Sequence, residues 1–158
     1  MALLVGRHVN KIDKKGRVSV PKSFRASFDG QGFAGIYAYP SFKFPAIEAC
    51  GEAFMRRISA SLERLELFSE EQDDLAAAIL ESAHALAFDP EGRIVLPPPL
   101  LTHAGIDGEA LFVGRGAQMQ IWNGTNYEKH RVQALQRARS RGATLQLSPS
   151  APPEGSSS

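Results

Sequence analysis

The chain has 158 residues, of which 43% are hydrophobic, and this is enough to bury the core of one domain or of two small ones. Its formal net charge of +1 excludes a chain that binds polyanions through overall basicity. The single cysteine excludes an intrachain disulfide and fits a reducing cytosol, and no run approaches the roughly 18 apolar residues of a membrane span. We therefore expect a cytoplasmic protein with no membrane partner.

The small net charge hides three strongly charged blocks. Residues 7–25 contain seven Lys or Arg against one acid, a local net charge of +6. Residues 63–81 contain seven acids against one Arg, a net charge of −6, and residues 129–141 contain five Lys or Arg and no acid. Any electrostatic function must therefore come from local clusters.

In chain order, the first predicted element is a strand that enters the turn "IDKKGRV". Asp13 can accept hydrogen bonds from backbone N–H groups in a tight turn, and Gly16 can adopt the positive φ that a Cβ disfavours. Val18 and Val20 then alternate onto one strand face, and Pro21 ends the strand and can open a short helix. This pattern predicts a hairpin that leads into a helix.

A second hairpin and two helices are predicted next. Residues 35–50 read as two apolar strands around a Gly/Pro/polar turn. An apolar stripe predicts one helix, with its members at Phe54, Ile58, Leu62 and Leu65. Ser69 with Gln72 predicts a capping box that opens the second helix, whose apolar positions are Leu75, Ala76, Ile79, Leu80 and Ala83.

The chain then repeats itself at an offset of 76 residues. The repeat aligns Asp13 with Asp89, Gly16 with Gly92, Arg17 with Arg93 and Pro21 with Pro97, and the apolar strand positions also match. A hairpin over 109–122 follows, and Thr125 with Glu128 predicts a capping box for a helix through Tyr127, Val132, Leu135 and Ala138. The pattern predicts an α+β fold, mainly β with added helices.

The predicted organisation follows from these elements. It comprises a first motif over residues 3–50, connecting helices over 51–83, a second motif over 84–127, a C-terminal helix over 128–142 and a disordered tail over 143–158.

The two motifs differ in charge. Lys14, Lys15, Lys22 and Arg25 of the first motif correspond to Pro90, Glu91, Pro98 and Leu101 of the second. Folding does not require these cations, because the second copy lacks them. Charge runs are often only solvated surface, but the asymmetry favours a target such as the phosphates of DNA.

Three segments carry a family resemblance. "VNKIDKKGRVSVPKSFR", "AFDPEGRIVLPPPLLTHAGI" and "ALFVGRGAQMQIW", in this order and spacing, resemble the bacterial MraZ proteins over roughly residues 3–140. The resemblance implies two tandem AbrB-like swapped-hairpin units that form a small β-barrel with helices packed outside. It also implies a nucleoid-associated transcriptional regulator of its own division and cell-wall operon, assembled as a ring of about eight subunits.

The resemblance also assigns residues. Lys14, Lys15 and Arg17 would contact double-stranded DNA, with Arg7, Lys22 and Arg25 as supports, and a ring of weak hairpins would bind promoter direct repeats by avidity. Asp13, Gly16, Asp89, Gly92 and Arg93 would shape the motifs. We expect Arg93 to make an internal ion pair with an aspartate of the paired hairpin.

Two other classes of function compete with DNA binding. For an enzyme, the four scattered histidines lack metal-site spacing and Cys50 lies in an apolar run typical of a buried thiol, so we expect no catalysis, metal or cofactor. An antitoxin-type interaction module is the second alternative. The basic block 129–141 could be a second DNA-facing surface or could pair with the acidic helix of a neighbouring subunit.

Overall fold

A computed structural model describes residues 2–149, and the elements of its first half follow the predicted order. They are the strands β1 (Arg7–Lys11) and β2 (Arg17–Ser19), the helix α1 (Lys22–Arg25), the strands β3 (Gly35–Pro40) and β4 (Ala46–Cys50), and the helix α2 (Glu52–Glu63). A 3-10 turn, Ala26–Phe28, follows α1 directly.

The second half repeats this order after a short helical insertion. The insertion is α3 (Glu70–Leu75), continued by a π-helical segment (Ala76–Leu80). Then come β5 (His84–Ala87), β6 (Arg93–Val95), α4 (Pro98–Ala104), β7 (Glu109–Gly114), β8 (Met119–Trp122) and α5 (Gly124–Ser140). The predicted repeat and the α+β class are confirmed.

The two repeats exchange strands with each other. β1 of the first repeat pairs with β7 of the second, and β5 of the second pairs with β3 of the first, both antiparallel. The six-stranded sheet has the order β1-β7-β8-β4-β3-β5, and β2 pairs with β6 in a separate two-stranded ribbon. No closed barrel of hydrogen-bonded strands is formed within residues 2–149.

The core lies where the repeats meet. Val18 and Val20 of the first repeat and Ile94 and Leu96 of the second are each 1% exposed and belong to one cluster. Each such side chain contributes about 1.5–3 kcal/mol through burial, so the shared core makes each repeat dependent on the other. The chain divides into one compact unit up to Tyr127 and a second from Glu128.

The helix caps and boundaries differ from the predicted ones in four places. Ser69 does cap α3 by accepting a hydrogen bond from the backbone N–H of Gln72 at 3.2 Å, but the Gln72 amide donates to the carbonyl of Leu62 instead of closing the box. The predicted cap at Thr125 is wrong. Asn123 is the cap, since its Oδ1 accepts from the backbone N–H of Asn126 at 3.1 Å.

The remaining differences concern the ends of the elements. The second predicted helix changes to π-helical hydrogen bonding after Leu75, and Leu65 lies beyond the end of α2. Residues 143–149 form neither helix nor strand, and the rest of the predicted tail, 150–158, lies outside the described residues. Within the described range no helix has the length and apolar character needed to cross a bilayer.

Candidate nucleic-acid interface

Asp13 organises the first turn. Its Oδ1 accepts hydrogen bonds from the backbone N–H groups of Lys15 and Arg17, both at 2.9 Å, and its Oδ2 accepts from Nε of Arg17 at 2.7 Å. The hydrogen bond from the Arg17 backbone, together with that from its side chain, holds the pKa of Asp13 below its ordinary value of 3.8. Gly16 sits at φ 84°, where a side chain is disfavoured. The two lysines are thereby displayed on a fixed backbone.

The second turn reproduces this geometry. Asp89 accepts from the backbone N–H groups of Glu91 and Arg93 at 2.9 Å and from Nε of Arg93 at 2.7 Å. Gly92 adopts φ 77°. The hydrogen bond from the Arg93 backbone lowers the pKa of Asp89 just as that from Arg17 lowers the pKa of Asp13. The expected partner of Arg93 is therefore corrected: the aspartate belongs to its own turn, because the i, i+4 spacing brings the two side chains together.

Reciprocal backbone hydrogen bonds tie the turns to each other. The carbonyl of Gly16 accepts from the N–H of Leu96 at 2.8 Å, and the carbonyl of Gly92 accepts from the N–H of Val20 at 3.2 Å. A Cβ at Gly16 would lie 2.8 Å from the carbonyl oxygen of Leu96. Because β2 and β6 run antiparallel, Arg17 at the start of β2 and Arg93 at the start of β6 lie at opposite ends of the ribbon.

The chemistry at the two tips differs although their backbones match. In the second turn Glu91 lies 3.4 Å from Nη2 of Arg93, which is therefore held by two carboxylates. In the first turn Lys15 stands where Glu91 stands in the second. Across residues 2–149, Arg17 makes an ion pair with Asp13 alone, and Lys14 and Lys15 make none. The first tip is a cluster of uncompensated cations and the second is close to neutral.

The supporting residues are placed differently from one another. Lys22 begins α1 and is exposed. Arg7 is exposed on the edge strand β1, with its guanidinium carbon 5.9 Å from the ring centroid of Tyr127. Arg25 is half-buried: its guanidinium occupies the space that a Cβ on Gly92 would need, and its buried Nε has no hydrogen-bond partner among the described residues. Arg25 is thus set against the second turn and is not grouped with Lys14 and Lys15.

Sequence reasoning missed two contacts that shape this surface. Asn10 donates a hydrogen bond from Nδ2 to the carbonyl of Ser19 at 2.7 Å, which fixes β1 against β2. The pairing of Glu91 with Arg93 was also missed. The sequence does contain a signal for the ion pair of Glu91 with Arg93. The offset of 76 residues aligns Glu91 with Lys15, two residues before the arginine that both turns share.

The groups with catalytic potential offer little chemistry. Cys50 is completely buried, and this burial, with the nearby Glu48 carboxylate, raises the pKa of its thiol to about 12. The prediction of a buried cysteine is confirmed, and a thiol that stays protonated at neutral pH is a poor nucleophile. Residues 2–149 contain no group of three or more His, Cys, Asp or Glu side chains placed to hold a metal ion.

Comparison with known proteins identifies the family. A family model described as "MraZ protein, putative antitoxin-like" matches residues 79–146. "Transcriptional regulator MraZ" of Pelagibacter ubique (strain HTCC1062) is 43% identical over 143 residues, which cover 90% of this chain and 92% of the relative. The proteins of the same name from Rickettsia akari (strain Hartford) and Rickettsia canadensis (strain McKiel) are each 41% identical over 145 residues, or 92% of this chain and 97% of each relative. The chain belongs to the MraZ family.

Proposed function

We propose that this protein is a transcriptional regulator that binds double-stranded DNA through the tip of its first turn. The relatives over almost the whole chain are named transcriptional regulators. Its target is the promoter of its own division and cell-wall operon, and it acts in the cytoplasm, on the nucleoid. The observation that carries the proposal is the contrast between two turns with the same backbone and different tips.

The first tip suits a phosphate backbone. Lys14, Lys15 and Lys22 are exposed, and no carboxylate in residues 2–149 pairs with them. Each lysine that neutralises a phosphate releases condensed counterions, which makes binding depend steeply on salt. With Arg7 as a fourth phosphate contact, the logarithm of affinity falls by about 3.6 per tenfold rise in salt for each engaged hairpin.

Arg17 is the candidate for reading bases. Asp13 accepts a hydrogen bond from Nε of its guanidinium, and a guanidinium also carries an end-on pair of N–H donors on its two Nη groups. Paired Nη donors match the O6 and N7 acceptors of guanine in the major groove. The ion pair with Asp13 also limits the rotamers of Arg17, which reduces the entropy lost on binding. Arg7 and Lys22 would add phosphate contacts beside the tip, and Arg25 would support the ribbon from within.

A ring of about eight subunits would supply the affinity that one hairpin lacks. Identical tips spaced around a ring meet the same face of DNA only when the binding sites recur about once per helical turn. The proposal therefore includes promoter direct repeats at roughly 10 bp spacing.

The test is fluorescence anisotropy of the intact protein on a duplex from its own upstream region, across a salt series. The variant Lys14→Ala/Lys15→Ala is compared with Pro90→Ala/Glu91→Ala, which alters the matching positions of the second turn. We expect the first variant to lower the salt slope by about 1.8 per engaged hairpin and the second to leave it unchanged or raise it.

The competing function is an antitoxin-type interaction module, which the description of the matching family model names. Equal and weak binding of the promoter duplex by the wild type and both variants would refute DNA recognition by the first tip. That result would leave the interaction module as the function to pursue.

A further inference from the structure

An apolar groove lies between α2 and the α3 segment with its π-helical continuation. Its volume is about 390 Å³, and it is lined by Arg57 and Ser61 and by six apolar side chains: Phe54, Ile58, Leu62, Leu65, Leu75 and Ile79. The guanidinium carbon of Arg57 lies 5.4 Å from the ring centroid of Phe54. The groove is separate from the two turns of the candidate interface. It is wide enough to receive side chains from another helix, in the manner of helix-in-groove recognition.

The loop between α2 and α3 extends this apolar surface. Leu67 and Phe68 are 68% and 86% exposed. Phe68 also adopts φ 67°, which is uncommon for a residue other than glycine. Exposed aromatic and aliphatic side chains beside an apolar groove are typical of an interaction surface.

The α3 side of the groove is acidic. Glu70, Glu71, Asp73 and Asp74 of α3 are exposed, and none of them makes an ion pair in the part of the chain that the structure describes. At 100° per residue, Glu71 lies about 40° from the groove-lining Leu75 around the helix, whereas Asp73 lies about 160° away. Glu71 therefore borders the groove and Asp73 faces away from it.

The C-terminal helix α5, taken by itself, has the complementary features. None of its described residues is buried, and Val132 and Leu135 are 45% and 42% exposed on one face. Arg139 lies about 40° from Leu135 around the helix and Arg137 about 160° away. The ion pairs of this helix within residues 2–149 engage Arg131 with Glu128 at 3.5 Å and leave Arg137 and Arg139 without an acidic partner.

We propose that α5 of a second copy of this chain docks in the groove, with Val132 and Leu135 against its apolar lining and Arg139 beside Glu71. This inference rests on the proposed ring and names its subunit contact. Each subunit gives one helix and receives another, so the contact is heterologous and closes into a ring when the rotation between neighbours allows it. The basic block 129–141 is then used for assembly and not for DNA.

The charges of α3 beside the groove and of α5 are opposite in sign, and this favours a second copy of the chain over DNA as the partner of α5. The α3 side of the groove carries carboxylates and α5 carries guanidinium groups, so their approach pairs opposite charges, while Arg57 lies on the α2 side of the groove. Tyr127 at the start of this helix packs against Trp122, but none of the described helix residues is buried, and most helical stability in proteins comes from packing of an amphipathic face.

The first test measures the mass of the assembly by sedimentation velocity. Glu71→Arg and Arg139→Glu each place like charges in the proposed contact, and each should raise the concentration needed for assembly at least about tenfold. Asp73→Arg and Arg137→Glu make the same changes of charge on the opposite helix faces, and they should change assembly far less. Circular dichroism checks folding, and Glu71→Gln with Arg139→Gln replace any variant that loses helix.

Mixing the two variants identifies the partner. In an equimolar mixture, the reversed helix of one variant meets the reversed groove of the other, and each native helix meets a native groove. Assemblies of alternating subunits should therefore form from two proteins that do not assemble alone. The double variant Glu71→Arg/Arg139→Glu carries both changes in one chain. If it assembles but the mixture of single variants does not, α5 contacts its own subunit and the proposal is overturned.

Other outcomes separate this inference from the proposed function. A monomeric wild-type protein would refute both the ring and the docking. An assembled Arg139→Glu variant that loses affinity for DNA would assign the helix to DNA and overturn the docking alone. Equal assembly by the groove-facing variants and their controls would also overturn it, whatever the DNA titration shows.

Discussion

Replacement of Lys15 by glutamate should give the first turn the chemistry of the second. Glu91 lies 3.4 Å from Nη2 of Arg93 on a turn whose backbone hydrogen bonds match those of the first to within about 0.1 Å. The carboxylate of Lys15→Glu should therefore reach Nη2 of Arg17. Its negative charge would compete with guanine for that Nη group while leaving the turn intact.

The size of the effect depends on what Arg17 contacts. Lys15→Ala removes one phosphate contact, which lowers the salt slope by about 0.9 and weakens binding to all sequences alike. Lys15→Glu also removes Arg17 from base reading, and a bidentate contact with guanine contributes about 1–3 kcal/mol of discrimination. The ratio of affinities for promoter and scrambled DNA should fall by about 5- to 160-fold, since each 1.36 kcal/mol is a factor of ten.

Competition anisotropy with promoter and scrambled duplexes measures this ratio directly. The matched control is Lys14→Glu, which makes the same change of charge at the position occupied by Pro90 in the second turn. We expect the control to weaken both duplexes and to preserve their ratio. Equal loss of discrimination by Lys14→Glu and Lys15→Glu, or no loss by either, would refute the assignment of base reading to Arg17.

Two further predictions concern stability. Gly16→Ala should lower the free energy of unfolding by about 1–2 kcal/mol because of its positive φ, and by at least about 1 kcal/mol more because of the contact with the Leu96 carbonyl. Gly30 has φ 78° and open space around it, so Gly30→Ala should show only the first effect. Urea titrations measure both losses. Equal losses would contradict this reasoning. Asp13 and Asp89 have lower pKa values in the folded protein than their ordinary value of 3.8, so their ionised carboxylates stabilise the fold at pH values above 3.8. This stabilisation is lost as the pH falls through the lower folded-state pKa. The urea concentration at the unfolding midpoint should therefore decrease as the pH is lowered from about 5 to about 3. The decrease should be less steep in Asp13→Asn.

Local sequence signals predicted the turns because their causes are local. The Asp-x-x-Gly-Arg spacing places a carboxylate within reach of three N–H donors over four residues, and only glycine tolerates the backbone at its fourth position. The repeat made the prediction stronger, since two copies with different neighbours kept the same residues. The hairpins over 35–50 and 109–122 were readable for the same reason, because their pairing is between adjacent segments.

The exchange of strands between repeats could not be read from local signals. The pairing of Arg7 with Val113 joins positions more than a hundred residues apart, and no pattern within either strand specifies its partner. The placement of Arg25 could not be predicted for a similar reason. Its charge resembles that of Lys22 three residues earlier, but tertiary packing turns its guanidinium toward Gly92 of the other repeat. The cap of α5 was missed because Asn123 and Thr125 are both competent caps, and the geometry after β8 selects Asn123.

The duplicated turn separates what folding requires from what binding requires. Arg17 and Arg93 make the same 2.7 Å ion pair with their aspartates, so the presence of an arginine in the first turn is no evidence of DNA contact. What differs is the residue just before the glycine: Glu91 lies 3.4 Å from Nη2 of Arg93, whereas Lys15 adds no second carboxylate beside Arg17. Because the shared core and the reciprocal Gly16 and Gly92 hydrogen bonds need neither side chain, this position can change the function of a turn without changing its fold.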